Sequence, residues 1–304
     1  MDNNRFIGFA VTFLGAVLFS TKAIIVKKAF ADIHIDALNL LTLRMIFSLP
    51  FYILTAWFIS RNKTNVELTG RQWIQIILLG LTGYYISSLL DFEGLQFVSA
   101  GLERLILFLF PTFVVLINSF YFHQKITRIQ RLALLLTYAG ISIAYFGELR
   151  AEISNPAFYM GSLLIFLCSI TYSIYMVGSG RLIPVVGANK YTAFAMLAAT
   201  GGIFIHFALK SNFQMPLLAA SGNWAYGLAL AVLATVIPSF LISAGMKKIG
   251  SNNVAIISSI GPVSTIIQAH YILGERIQAA QVMGTFLVIA GVLLIGWRSG
   301  NIKR

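Results

Sequence analysis

The sequence predicts an all-α polytopic membrane protein with ten transmembrane helices, arranged as two inverted five-helix repeats with both termini in the cytoplasm. Three observations predict this fold: long apolar runs, an internal repeat and an uneven distribution of Lys and Arg. Hydrophobic residues make up 58% of the 304 residues and charged residues only 11%, against roughly 25% in soluble domains. A soluble core cannot absorb so much apolar surface, so we expect the chain to lie in a bilayer.

The apolar runs have the length of membrane spans. Each covers about 18–22 residues, enough to cross roughly 30 Å of hydrocarbon at about 1.5 Å per residue. We place them at about 6–28, 38–59, 72–91, 101–122, 130–147, 158–178, 190–209, 224–244, 252–273 and 280–297. The connections are short, so no extramembranous domain is expected. The first run is too long for a signal peptide and lacks an Ala-x-Ala-like site, so it should be retained.

The stretch 94–146 recurs when the sequence is shifted by 151 positions without a gap, which predicts a duplication. The first repeat is then 1–150 and the second 151–304. Because each repeat holds five spans, an odd number, the second copy enters the membrane upside down, as in many secondary transporters. The matching residues are Gly94 with Gly245, Pro111 with Pro262, Ile126 with Ile277, Gln130 with Gln281, Leu136 with Leu287, and Ala139-Gly140 with Ala290-Gly291.

The basic residues set the predicted orientation. With a cytoplasmic N-terminus, 14 of the 22 Lys and Arg residues fall in cytoplasmic segments, five fall in external loops and three lie inside spans. Cytoplasmic loops are enriched in Lys and Arg, so this bias predicts that both termini are inside. It also accounts for the net charge of +12 without nucleic-acid binding, for which no basic and aromatic soluble segment is present.

The repeated motif resembles the EamA family of the drug/metabolite transporter superfamily. The second copy, with Pro262, Gly274-Glu275-Arg276 and Gly291, is the closer match, whereas the first copy carries His123-Gln124 in place of the family's Gly-Glu. The resemblance covers nearly the whole chain. It implies export or uptake of a small metabolite without ATP, in a family that handles amino acids, nucleosides, sugars and amphiphilic drugs.

Six ionisable side chains lie inside the predicted spans or at their ends, where a charge costs about 2.5–3.5 kcal/mol at a helix centre and marks a functional site. The predicted topology places all six in the outer half of the membrane. They are Lys22, Arg44, Asp91, Glu93, Glu103 and Arg104.

Helical spacing extends these charges into polar stripes that should face a cavity rather than lipid. Tyr84, Ser87 and Asp91 share a face of the third span, and Arg104 and Asn118 share a face of the fourth. The second-half stripes, which include Tyr172 and Gln268, are polar but uncharged. The predicted substrate-binding residues are Lys22, Arg44, Tyr84, Ser87, Asp91, Arg104, Asn118, Tyr172 and Gln268.

Two interpretations of the charges stay open. In one, Lys22 and Arg44 bind a substrate carboxylate or phosphate, while Asp91 or Glu103 binds an amine or carries a proton. In the other, the charges neutralise one another in a network that braces the outer half. Asp91, Glu103 and His270 are the candidates for proton coupling.

Other chemistry finds no support in the sequence. A phosphate-binding Gly-x-x-x-x-Gly-Lys-Ser/Thr loop and a His-Glu-x-x-His motif are both missing, and the histidines are scattered, so we expect no ATP hydrolysis, metal or cofactor. The single cysteine, Cys168, allows no internal disulfide. No nucleophilic constellation predicts an enzyme.

We therefore expect a secondary transporter, an exporter of a small zwitterionic or anionic metabolite such as an amino acid, in a bacterial inner membrane. Its expected partners are the substrate, the lipid bilayer and protons, and the sequence leaves a homodimer open. The alternatives are a nucleotide-sugar or organophosphate exchanger, a drug efflux transporter, or a receptor or scaffold that transports nothing.

Overall fold

The computed structural model describes residues 3–61, 67–152, 157–211, 223–274 and 279–298, and every regular element among them is helical. Three segments wind more loosely, as π-helix: Leu81–Ile86, Val232–Val236 and Ala269–Leu273. The α-helices are α1 (Asn3–Ile33), α2 (Ala37–Arg61), α3 (Gly70–Gly80), α4 (Ser87–Gly94), α5 (Ala100–Leu107), α6 (Phe110–Phe120), α7 (Arg128–Glu152), α8 (Phe158–Val186), α9 (Ala188–Ser211), α10 (Asn223–Ala231), α11 (Ile237–Ile257), α12 (Ile260–Gln268) and α13 (Ala279–Arg298).

Six helical stretches of the described residues are long and apolar enough to cross a membrane. The predicted spans at 101–122, 130–147, 252–273 and 280–297 are not among these six, although each is helical over most of its length. The six are Asn4–Ile33, Ala37–Arg61, Gly70–Gly94, Phe158–Val186, Ala188–Lys210 and Trp224–Ile257.

Prolines explain where two predicted spans break. Proline lacks a backbone N–H, and its ring clashes with the carbonyl group four residues earlier. Accordingly, α5 ends four residues before Pro111, which then occupies the first turn of α6. The segment before Pro262 breaks in the same way at Ser258 and Ser259. A further turn, at Gly250, where φ is 77° and ψ is 162°, separates the predicted spans at 224–244 and 252–273 inside α11.

Helix boundaries recur at the spacing of the sequence repeat. α2 begins at Ala37 and α9 at Ala188, 151 positions later. The same interval separates the first residues of the π-helical segments Leu81–Ile86 and Val232–Val236. The shared sequence pattern is thus accompanied by a shared pattern of helix starts and irregular turns.

Close packing joins helices that lie far apart in the sequence: α1 packs on α11, α2 on α9, and α7 on α13. The repeated glycines Gly140 and Gly291 lie at the last of these contacts. A Cβ atom at Gly291 would approach the Ala133 carbonyl oxygen to 2.8 Å, and one at Gly140 would collide with the Gly284 carbonyl oxygen. Small residues let membrane helices approach closely, which explains why both repeats carry glycine here.

The molecule is apolar outside and polar in parts of its interior. Large hydrophobic side chains such as Phe58, Leu135 and Leu209 are 65%, 68% and 78% exposed. By contrast, Lys22, Arg44, Asp91 and Glu103 are buried. This inversion of the usual soluble pattern suits a protein that contacts lipid on its outer surface.

Candidate functional site

Lys22 lies at the centre of a buried charge cluster built by α1, α4 and α5. Its Nζ atom is 2.6 Å from Asp91 Oδ2 and 4.0 Å from Glu103 Oε1. Arg104 Nε lies 3.0 Å from Glu103 Oε2. All four side chains are at most 6% exposed. Two cations and two carboxylates therefore pair with one another inside the helix bundle, and we call these four residues the ion-pair cluster.

Arg44 of α2 forms the adjacent part of the site. Its Nη2 atom donates a hydrogen bond to Ser88 Oγ at 3.0 Å, and its guanidinium carbon lies 5.1 Å from the centroid of the Phe92 ring. Asp91 is near enough to attract the guanidinium electrostatically, but its Oδ2 atom is engaged by Lys22. Arg44 is 1% exposed, so its charge is held away from water.

The second half of the chain supplies neutral groups to this region. The Phe19 ring, whose centroid is 5.0 Å from Lys22 Nζ, stacks on the ring of Tyr172 from α8 at a centroid distance of 6.1 Å. The Ser87 hydroxyl group and the Cys168 thiol group form a hydrogen bond of 3.2 Å. The first half is thus charged and the second half aromatic or polar where they meet.

Tyrosines extend the site along α8. The ring of Tyr84 meets the ring of Tyr175 edge-on at 5.0 Å, and Tyr175 lies 5.9 Å from Tyr172. Phe110 approaches Tyr172 edge-on at 5.3 Å. A row of rings therefore runs from Tyr84 through Tyr175 to Tyr172, whose ring stacks on Phe19 beside Lys22.

Gln268 joins the site from α12 through Ser20. Its Nε2 atom donates to Ser20 Oγ at 3.1 Å and to Ser264 Oγ at 2.8 Å. The Ser20 carbonyl oxygen lies 3.4 Å from Arg104 Nη2. Gln268 thereby supports the position of α1 next to the ion-pair cluster.

Asn118 lies elsewhere, where it connects α6 to the turn in α11. Its Nδ2 atom donates to Asn252 Oδ1 at 2.6 Å and to Ser251 Oγ at 3.2 Å. Asn118 and Arg104 do share a side of the fourth predicted span, but 14 positions, or about 21 Å at the rise of a helix, separate them along it. The structure therefore does not bring Asn118 to the charges.

Two further predicted charges lie outside the cluster. His270 is exposed within Ala269–Leu273, and its ring meets Tyr271 edge-on at 5.1 Å. Glu93 accepts a hydrogen bond of 2.7 Å from Gln96 Nε2 at the end of α4. Glu275 and Arg276 of the family motif fall outside the described residues.

Sequence reasoning missed Ser88, Phe92, Ser20 and Tyr175. The predicted stripe on the third span assumes an unbroken α-helix, but the π-helical segment before α4 changes the register of its faces. Gly80, which lies just before that segment, packs closely against the backbone of Ala195 in α9. Arg44 is the residue that could have led to Ser88, because a guanidinium buried in a span needs hydrogen-bond acceptors on the neighbouring helices.

The site is suited to binding charged groups. Among the described residues, no group of three or more His, Cys, Asp or Glu side chains is placed to hold a metal ion. What the site offers is paired ions, one further guanidinium, hydroxyl groups and aromatic rings. These are groups that recognise carboxylates, amines and apolar rings by hydrogen bonds and packing.

Comparison with known proteins shows which protein family the chain resembles. The sequence profile of the EamA-like transporter family matches residues 6–146 and 159–297. The uncharacterized transporter YcbK of Bacillus subtilis is 33% identical over 286 residues, which cover 92% of this chain and 90% of YcbK. An uncharacterized transporter of Archaeoglobus fulgidus is 25% identical over 86% of this chain and 88% of its own length.

A solved crystal structure shares the fold. It superposes with a TM-score of 0.76 and covers 98% of this chain and 98% of its own length, at 17% sequence identity. The all-helical architecture, the apolar outer surface and the two matches to the family profile agree with one another. This is a multi-pass membrane protein, and the chain belongs to the EamA-like transporter family.

Proposed function

We propose that this chain is a secondary transporter that exports a small zwitterionic or anionic metabolite, such as an amino acid, by alternating access. The observation that carries the proposal is the buried ion-pair cluster with Arg44 beside it, facing neutral groups of the second half. Charged groups inside membrane proteins are costly and are usually kept for a substrate or ion pathway.

The proposal includes ten transmembrane helices, two inverted repeats at 1–150 and 151–304, and both termini in the cytoplasm of a bacterial inner membrane. The bias of Lys and Arg in the loops supports the orientation. The recurrence of helix starts after 151 positions and the two matches to one family profile support the duplication. In such transporters the substrate site lies between the repeats near the middle of the membrane.

The ion-pair cluster also suggests how protons would take part. Asp91 and Glu103 face the same ammonium group of Lys22. A proton that neutralises one of them would loosen its hold on Lys22, and that change would couple proton binding to helix movement. Asp91 and Glu103 therefore remain proton-coupling candidates, and His270, exposed on the segment Ala269–Leu273, remains the third.

Counterflow in proteoliposomes tests the transport function without knowledge of the coupling ion. Vesicles loaded with one unlabelled compound should take up the same compound in radiolabelled form, and we expect this for amino acids or monocarboxylates. Uptake confined to organic cations or to nucleosides would contradict the proposal.

Three variants of α1 show whether counterflow depends on the ion-pair cluster. Lys22→Ala should lose counterflow, whereas Lys28→Ala should keep it, because Lys28 is 45% exposed and pairs with the exposed Asp32. Lys22→Arg keeps the charge and separates loss of transport from loss of folding. Equal rates in all three variants would show that the cluster takes no part in transport.

A further inference from the structure

Within the part of the chain that the structure describes, Arg44 has no carboxylate partner, unlike the buried cations Lys22 and Arg104. Among the described residues, the ion pairs within 4.0 Å are those of Lys22, Arg104 and the exposed Lys28. The described side chain that accepts a hydrogen bond from Arg44 is Ser88, and the Nε atom has no acceptor there. A guanidinium has five N–H donors, so most of its capacity is unused by the described residues.

The balance of charges in the site indicates that Arg44 lacks a counter-ion among the described residues. When each group carries its usual charge, Lys22 and Arg104 balance Asp91 and Glu103. Arg44 then adds one uncompensated positive charge, and arginine stays protonated in proteins. A buried charge without a counter-ion is strongly unfavourable. As far as the described residues show, the site is therefore one negative charge short of neutrality.

We propose that Arg44 is the anion receptor of the transport site and binds the carboxylate of a net monoanionic substrate. This inference rests on the proposed transport function and names the substrate class of that same site. Lys22 is the less suitable first receptor because its ammonium group already pairs with Asp91 at 2.6 Å and approaches Glu103 at 4.0 Å. Arg44 becomes reachable when the two halves separate during transport.

The chemistry around Arg44 selects among anions. The planar guanidinium fork matches a carboxylate through two parallel hydrogen bonds. A phosphate dianion would leave a surplus negative charge, and a zwitterion would leave the positive charge uncompensated. Phe92 lies against the guanidinium, and Tyr84, whose ring meets Tyr175, lies four residues before the Ser88 that accepts the hydrogen bond of Arg44. The rest of the substrate would lie among rings, so an apolar or aromatic carboxylate fits.

Three ligands of nearly the same size test this charge rule by calorimetric titration of the purified protein. They are 3-phenylpropanoate, the zwitterion phenylalanine and the neutral 3-phenylpropanamide. We expect 3-phenylpropanoate to bind most tightly. Arg44→Gln should weaken its binding by about tenfold to a hundredfold, as for the loss of a charge-assisted hydrogen bond, and should leave the amide unaffected.

Two other variants separate recognition from folding. Arg44→Lys keeps the charge but loses the fork, so it should bind 3-phenylpropanoate more weakly than the wild type and better than Arg44→Gln. Arg61→Gln removes an exposed arginine at the end of the same helix, where it packs on Trp57 at 4.1 Å, and should bind normally.

Several results would overturn the inference. Tighter binding of phenylalanine than of 3-phenylpropanoate would reject a net monoanion, and equal binding to wild type and Arg44→Gln would reject Arg44 as the receptor. If chloride, added alone to a sulfate buffer, binds in an Arg44-dependent way, the guanidinium holds an inorganic counter-ion instead. Each of these results is compatible with counterflow of another compound, so the transport function would survive the failure of this inference.

Discussion

Replacement of Lys22 by methionine tests how strongly the ion-pair cluster depends on its central cation. Methionine has a similar length but no charge. With an effective dielectric constant of about 20, the attraction is about 6 kcal/mol to Asp91 at 2.6 Å and about 4 kcal/mol to Glu103 at 4.0 Å. The variant no longer has to desolvate the ammonium group, which offsets part of this loss. Breaking one partner of a buried pair costs about 3–5 kcal/mol, and we expect a destabilisation of that size.

Thermal unfolding in detergent, followed by tryptophan fluorescence, measures the effect. At roughly 2 °C per kcal/mol for a chain of this size, Lys22→Met should lower Tm by about 6–10 °C. Lys28→Met is the matched control on the same helix. Its 3.2 Å pair with Asp32 is 45% and 41% exposed, and such surface pairs contribute about 0.2–1 kcal/mol.

A second substitution distinguishes an uncompensated charge from poor packing. Asp91→Asn in the Lys22→Met background removes the stranded carboxylate, so it should recover most of the lost Tm. If Lys22→Met has the same Tm as Lys28→Met, or if adding Asp91→Asn to Lys22→Met lowers Tm further, the ion pair between Lys22 and Asp91 does not stabilise the protein.

Two other substitutions test the packing around the site. Gly80→Ala should destabilise the protein by about 1–3 kcal/mol, because its Cβ atom would collide with the Ala195 carbonyl oxygen. Gly70→Ala is the control on the same helix, since its Cβ atom would meet no atom within 4 Å. Equal melting temperatures of the two variants would contradict the close approach of α3 and α9. Tyr52→Phe removes the 3.0 Å hydrogen bond to Ser239 but keeps the ring, so it should lower the free energy of unfolding by about 0.5–1.5 kcal/mol. An unchanged Tm would show that this hydrogen bond between α2 and α11 does not stabilise the protein.

The sequence contained enough information to predict an all-helical membrane protein and its family. Apolar runs of membrane length predict helices because a lipid environment forces backbone groups to bond within their own segment. The resemblance to the EamA family, based on Pro262, Gly274 and Gly291, is confirmed by the family profile. The reason for the repeated Gly140 and Gly291 emerged only from the structure, because the sequence alone does not show that α7 and α13 pack closely.

The site was harder to predict than the fold. The predicted topology brought Lys22, Asp91 and Arg104 to the same half of the membrane, and side chains were then assigned to faces with the spacing of a regular α-helix. The method failed after Leu81–Ile86, because a π-helical turn changes which residues share a face, and so Ser88 was overlooked. It also grouped Arg104 with Asn118, because a shared face says nothing about distance along the helix.

The measurement that tests the central claim most directly is a thermal-shift screen of the detergent-purified protein against amino acids, monocarboxylates, phosphate esters, nucleosides and organic cations. A ligand that binds only the folded state raises Tm according to its concentration relative to Kd. We predict that carboxylate-bearing compounds raise Tm and that Arg44→Gln abolishes this rise. Stabilisation by organic cations or nucleosides alone, unchanged in Arg44→Gln, would contradict the claim that the buried charges form the substrate site.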